Sequence, residues 1–221
     1  MTDHRAILKR VGLVLIAVCL ADIALMIYCI VKGYSYSSSF NIFAVIAGIF
    51  LMRGSLGATR LVTWLSAFML TGLMGAILLF PLLQPLGLLW AQARLAPASL
   101  VASVLFTVAV LVLLGWVYRQ LRSAPVLAAL QASGRTTAAP RWAFGLGIAL
   151  VALLVVMLNM LLHGASADKA VELARQKSGS GYDYAVQSVQ VQWSAGKSHG
   201  HAVVAAYNDH EIKYVPVEWS E

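Results

Sequence analysis

Asp22 is the residue of this chain whose chemistry most needs explaining. It stands in the stretch AVCLADIALMIYC, residues 17–29, inside an apolar run from Val11 to Val31. A carboxylate at the centre of a bilayer costs at least about 2.5–3.5 kcal/mol, so it must face protein or water, or carry a proton. Two roles suit such a group: a hydrogen-bonded knot that fixes helix packing, or a proton or ion site. Depth, counted from the ends of the apolar runs, places Asp22, Asn41, Thr71 and Thr107 near one level, about 15–18 Å in at 1.5 Å per residue. These four form the predicted intramembrane polar cluster. One acid with no intramembrane base makes a thin proton relay, so the knot is the preferred reading.

Two further groupings could do metal chemistry. Cys19, Asp22, Met26 and Cys29 recur at helical spacing and share one face, while Met157, Met160 and His163 add soft ligands of the kind copper(I) favours. Cysteine and methionine also pack well in apolar cores, and sulfurs strung along a helix are not a cage. The two cysteines lie about 15 Å apart along the axis and cannot bridge each other. His199, His201 and His210 invite a zinc reading. His210 falls at a turn about 20 Å from His201 along a strand, so only His199 and His201 can share a site, with Glu218 opposite. No metal ligands, cofactor or catalytic residues are assigned. The chain has no CxxC, HExxH or phosphate-binding glycine loop, and an enzyme is not the favoured reading.

The elements that hold these residues follow from composition. Sixty per cent of the residues are hydrophobic and 11% charged, against about 25% charged in a soluble domain. The chain reads as a multi-pass membrane protein. Five runs approach the roughly 20 apolar residues a span needs: Val11–Val31, Phe40–Ala58, Leu61–Phe80, Ser99–Tyr118 and Trp142–Leu162. Arg53 interrupts the second. The third leads through Pro81 and Pro85 into LGLLW, which either extends the helix past a kink or lies in the interface. The first run is longer than a signal-peptide core, so it is read as an uncleaved span.

Lys and Arg set the orientation. With the N-terminus inside, the inner segments hold Arg5, Lys9, Arg10, Arg53, Arg60, Arg119, Arg122, Arg135 and Arg141, and the outer loops only Lys32 and Arg94. Trp64, Trp116 and Trp142 fall at inner span ends and Trp90 at an outer one. The formal charge of +7 is therefore mainly an orientation signal. The basic residues are too scattered for nucleic acid, which is excluded as a partner. The loop RQLRSAPVLAALQASGRTTAAPR suits anionic lipid. Small residues repeat every fourth position, as Ala67, Thr71 and Gly75, as Ser99, Ser103 and Thr107, and as Gly145 and Ala149. These stripes predict close helix packing in a compact bundle.

Beyond residue 164 the composition changes: seven of the nine acids follow, with no long apolar run. A helix is predicted over SADKAVELARQKSGSG, capped by Ser166 and ended by Gly179. Strands are predicted over Tyr182–Trp193, His201–Tyr207 and Glu211–Trp219. Asn208 facing Glu211 would put Ala202, Val204 and Ala206 on one face with Val215, Val217 and Trp219. Trp193 opposite Ala202 would complete that face, and the helix would cover it. The other face would carry Gln190, Gln192, His201, Tyr207 and Tyr214.

The predicted fold is thus an all-α membrane bundle of about five transmembrane helices, residues 1–164, followed by a small extracytoplasmic α-β-β-β domain, residues 165–221. The expected location is a bacterial-type inner membrane, with the N-terminus cytoplasmic and the tail periplasmic. The first strand is an open edge, so Tyr182, Tyr184, Gln190 and Gln192 mark a possible edge for a protein partner, besides the lipid bilayer itself. The expected role is a structural, accessory or assembly factor. The alternative is a small transporter, or transporter subunit, moving a proton, ion or metal through Asp22.

Overall fold

The computed structural model describes residues 4–33, 41–162, 164–194 and 197–220; the side chains of 41–42, 80–83, 191–194 and 197–198 lie outside that description. The chain divides into two compact units, 1–71 with 111–147 and 72–110 with 148–221. Helices dominate, and a small three-stranded sheet closes the chain. Four helices are long and apolar enough to cross a bilayer: α1 (His4–Val31), α3 (Leu56–Leu83), α5 (Pro97–Leu121) and α7 (Arg141–Leu162).

The expected second span is shorter than predicted. α2 (Asn41–Met52) has 12 residues, about 18 Å of helix against a hydrocarbon core of about 30 Å. Its end is written in the triplet Arg53-Gly54-Ser55. Gly54 adopts φ +75°, and the pair Gly54 N–H to Leu51 O and Ser55 N–H to Phe50 O forms a Schellman closure. Ser55 then accepts the Ala58 N–H with its hydroxyl and caps α3. Residues 56–58 therefore open α3 instead of closing a second span. Phe40 lies outside the described residues.

In the first unit α1 and α2 run antiparallel with their backbones in contact. A Cβ on Gly12 would sit 2.6 Å from Gly48 O, and one on Gly48 would sit 2.8 Å from Gly12 O. Only glycine at both positions permits that approach. Below the contact Leu8, Val11, Leu51, Val62, Val117 and Leu121 form a buried core. Val126 and Leu130 complete it from α6 (Ala124–Ala132), a helix within the segment expected to be the loop RQLRSAPVLAALQASGRTTAAPR. One turn apart, these two residues face the core together, with Leu127 packed beside them.

The small-residue stripes do not all pack. On α3, Ala67 is fully buried, and a Cβ on Gly75 would lie 3.2 Å from Val151 Cγ1 of α7. On α7 the buried row is Ala143, Gly147 and Val151, not the expected Gly145 and Ala149, which are exposed. On α5, Ser99 and Ser103 are exposed.

In the second unit α8 (Ala165–Ser178) begins after Gly164, so Ser166 lies inside the helix and does not cap it. Gly179, at φ +87°, ends it as expected. β1 (Asp183–Ser194), β2 (Lys197–Tyr207) and β3 (Ile212–Ser220) form an antiparallel sheet in the order β1-β2-β3. The β2–β3 register matches the expected one: Val204 faces Val215 and Ala202 faces Val217. The β1–β2 register does not, because β2 begins at Lys197 inside the expected turn. Ala202 faces Val189, and Trp193, whose side chain lies outside the described residues, faces Ser198. A bulge between Val186 and Ser188 changes the phase of β1. It lets Tyr184, Val186 and Val189 share one face, where Ala170 and Ala174 of α8 pack on Ala202, Val204 and Val217.

The second face is not bare either. The LGLLW segment becomes a separate helix, α4 (Leu86–Leu95), with Pro85 at its N-cap. Leu88, 0% exposed, packs with Ala185, Ala205 and Tyr207 of the sheet. The sheet is therefore covered by α8 on one face and, towards the β2–β3 turn, by α4 on the other.

Candidate functional site

The end of the sheet nearest that turn gathers the most ionisable side chains of the second unit. Tyr207 ends β2, and Asn208 shapes the turn. Its Oδ1 accepts the His210 N–H at 2.8 Å and the Glu211 N–H at 2.9 Å, while its own N–H donates to Glu211 O at 3.0 Å. This geometry fixes Glu211 where Tyr182 O–H donates to its Oε1. Lys213, two residues further on, donates to the same Oε1 at 2.6 Å and to Tyr182 Oη at 2.8 Å. Its ammonium also lies 5.1 Å from the Tyr182 ring centre. The three groups tie the start of β1 to the start of β3 across β2.

The electrostatics follow from these bonds. The Lys213 hydrogen bond, seconded by Tyr182, holds the Glu211 carboxyl below its ordinary value. The Glu211 hydrogen bond, with Tyr182, holds the Lys213 ammonium well above its own. Burial, with Asp183 nearby, raises the Tyr207 phenol. A lysine kept charged is not a nucleophile at neutral pH, and a carboxyl kept ionised is not an acid there. The trio is a latch between strands.

Beside it lies a cleft of about 550 Å³ between α4 and the sheet end, bordered by Trp90, Arg94, Tyr182, Asp183, Tyr207 and Asp209. Gly87 makes room for Tyr207, whose hydroxyl would lie 3.1 Å from a Cβ there. Arg94 reaches Asp209 at 3.6 Å. With both groups largely in water, this pair holds α4 less firmly than buried Leu88 does.

The residues singled out from the sequence lie on several elements. Asp22 is half-buried on α1, one turn from buried Cys19. Asn41 is the first residue of α2, and its side chain lies outside the described residues. Thr71 Oγ1 donates to Ala67 O at 2.7 Å and Thr107 Oγ1 to Ser103 O at 2.8 Å. Both threonine protons are therefore spent inside their own helices. His201 Nδ1 meets Glu218 Oε1 at 3.4 Å, as the facing register requires, and both side chains are well exposed.

Along β1, the Tyr182 side chain is in the latch. Tyr184 donates to Gly179 O, and Arg175 lies over its ring at 5.8 Å. Gln190 is exposed. Gln192 pairs with His199 through the backbone, and its side chain lies outside the described residues. No strand pairs with the outer edge of β1 among the described residues. Two features escaped the sequence reading: α4 on the sheet, and Gly200 beneath the Trp219 ring. Pro85 before an apolar stretch signalled the first, and a glycine facing an aromatic signalled the second. No family model, curated protein or solved structure matches this chain.

Proposed function

We propose that the protein is an accessory or assembly factor of a bacterial-type inner membrane, which anchors its α8–sheet segment outside and offers the β1 edge to an extended segment of a protein partner. The observation that carries this reading is the state of the sheet. α8 fills one face and α4 one end of the other, while the outer edge of β1 has no partner strand among the described residues. An unpaired edge is a template for strand addition, and Pro216 blunts the opposite edge on β3. The 1–164 and 165–221 division belongs to the same reading, and the cationic bias of the inner segments supports its orientation. α2 supports five passes. Leu51, near its end, packs on Leu8 and Val11 near the start of α1, so the chain returns after Val31 to the level where it began.

The test is a photo-crosslinking amino acid at Ser188 or Gln190 on β1 and, as a control, at Tyr214 on β3, in intact cells. A shared protein adduct from both β1 positions and not from Tyr214 supports the reading; equal adducts from all three overturn it. The transporter alternative is separated by vesicles. Acid-dependent solute flux that Asp22→Asn abolishes, with the fold intact, would replace the accessory reading.

A further inference from the structure

The second unit contains a larger groove, about 1020 Å³, running from the middle of α5 to the β2–β3 turn. Its deep part is apolar, walled by Leu73 and Ile77 of α3 and by Leu100, Val104 and Val108 of α5. One side is lined by Ser99, Ser103 and Thr107. Each of these hydroxyls donates to a carbonyl of its own chain three or four residues back, at 2.8–2.9 Å. The wall thus has small side chains and no unspent donor, so hydrocarbon can lie against it without stranding a polar group. The upper end changes character, with Gln92, His210, Glu211 and Tyr214 at the mouth.

Apolar depth and polar mouth on one groove match an amphiphile. From Ser99 to Val108 the groove follows about 14 Å of α5, a substantial part of one leaflet's hydrocarbon depth. The volume lies at the upper end of small-molecule sites. The mouth limits the headgroup. Glu211 is neutralised by Lys213, and the nearby Asp209 by Arg94. Two closed ion pairs leave no net positive field to favour an anion, but they leave a dense set of donors and acceptors.

We propose that this groove holds one bilayer phospholipid with a zwitterionic headgroup, an acyl chain along α5 and the headgroup at the β2–β3 turn. The proposal rests on the membrane-embedded reading of the chain. Retention comes from shape and headgroup contacts, because a chain entering from the bilayer exchanges hydrocarbon for hydrocarbon.

The experiment uses the full chain in mixed vesicles of phosphatidylethanolamine and phosphatidylglycerol. A diazirine is placed on the acyl chain of one lipid or the other, and labelled residues are mapped by mass spectrometry. The expected result is labelling concentrated on Leu100, Val104 and Ile77, stronger with phosphatidylethanolamine. Ser103→Trp, which fills the groove from an exposed position, should cut that labelling roughly tenfold, equivalent to about 1.4 kcal/mol. Labelling of Leu105 and Phe106, each 64% exposed and outside the groove, should not change. Val104→Trp should act likewise and serves if the first variant misfolds. Equal labelling inside and outside the groove, or indifference to both tryptophans, means a general lipid annulus only and overturns the site. Stronger phosphatidylglycerol labelling overturns the headgroup assignment. Alkaline extraction separates the two readings: release of the chain from the vesicles overturns the membrane reading, whereas a retained chain with no groove labelling overturns the lipid site alone.

Discussion

Replacing Gly200 by alanine should disrupt the sheet through one aromatic ring. Gly200 is paired on both sides, to Val191 of β1 and Trp219 of β3, so its backbone cannot move aside. A Cβ there would lie 2.1 Å from Trp219 Cε2 and 2.2 Å from Cζ2, where carbon contacts ordinarily begin near about 3.5 Å. The ring must retreat by more than about 1 Å and leave its place against the α8-facing core. If it finds another rotamer on the same face, the cost is that of overpacking, about 1–3 kcal/mol. If it leaves the core, the cost approaches the roughly 3–5 kcal/mol of removing a tryptophan. Amide hydrogen exchange of β2 and β3 in the full-length protein reads this as lost protection. The decisive comparison is a double-mutant cycle. With Trp219→Ala already present, Gly200→Ala should become neutral or stabilising by roughly 0.5–1 kcal/mol, as alanine for glycine in a strand is. Additive effects, with coupling below about 0.5 kcal/mol, would refute the claim that the ring is what Gly200 accommodates.

Other perturbations test the remaining contacts. Gly12→Val should separate α1 from α2 and lower Tm by roughly 2–10 °C, while Gly145→Ala, inside α7 with nothing within 4 Å of the new Cβ, should not lower it, alanine being the better helix former. Leu88→Ala should cost roughly 2–5 kcal/mol in sheet protection and Arg94→Ala less than about 1 kcal/mol; the reverse order would mean that the exposed ion pair holds α4. Glu211 titrates below its ordinary 4.5 in the folded chain, so its latch contributes stability above that value and loses it as pH falls through the lowered one. A pH series of unfolding should therefore show the parent and Glu211→Gln differing near neutrality and converging in acid.

Much of this architecture was legible because it rests on patterns of period two and of helical length. The runs that became α1, α3, α5 and α7 are long and, apart from Asp22, almost free of charge, and Val215, Val217 and Trp219 alternate strictly, which fixes the β2–β3 register. The misreadings arose where a local break overrode the pattern. Arg53-Gly54-Ser55 stops one helix and starts another within an apolar stretch. Gln187 falls at a bulge that lets Val186 and Val189 face the same way, and a period-two count cannot predict it. The Ser99–Ser103–Thr107 stripe predicts a packing surface because small size implies close approach, but hydroxyls already bonded to their own helix can equally line an open groove.

The side of the membrane on which the sheet lies tests the central claim most directly. Reporter fusions placed after Arg122 and after Glu221, in otherwise intact chains, should report opposite sides, with the C-terminal fusion outside. A cytoplasmic signal from the fusion after Glu221 would contradict the account, because the β1 edge would then face the wrong compartment for the partner it is proposed to meet.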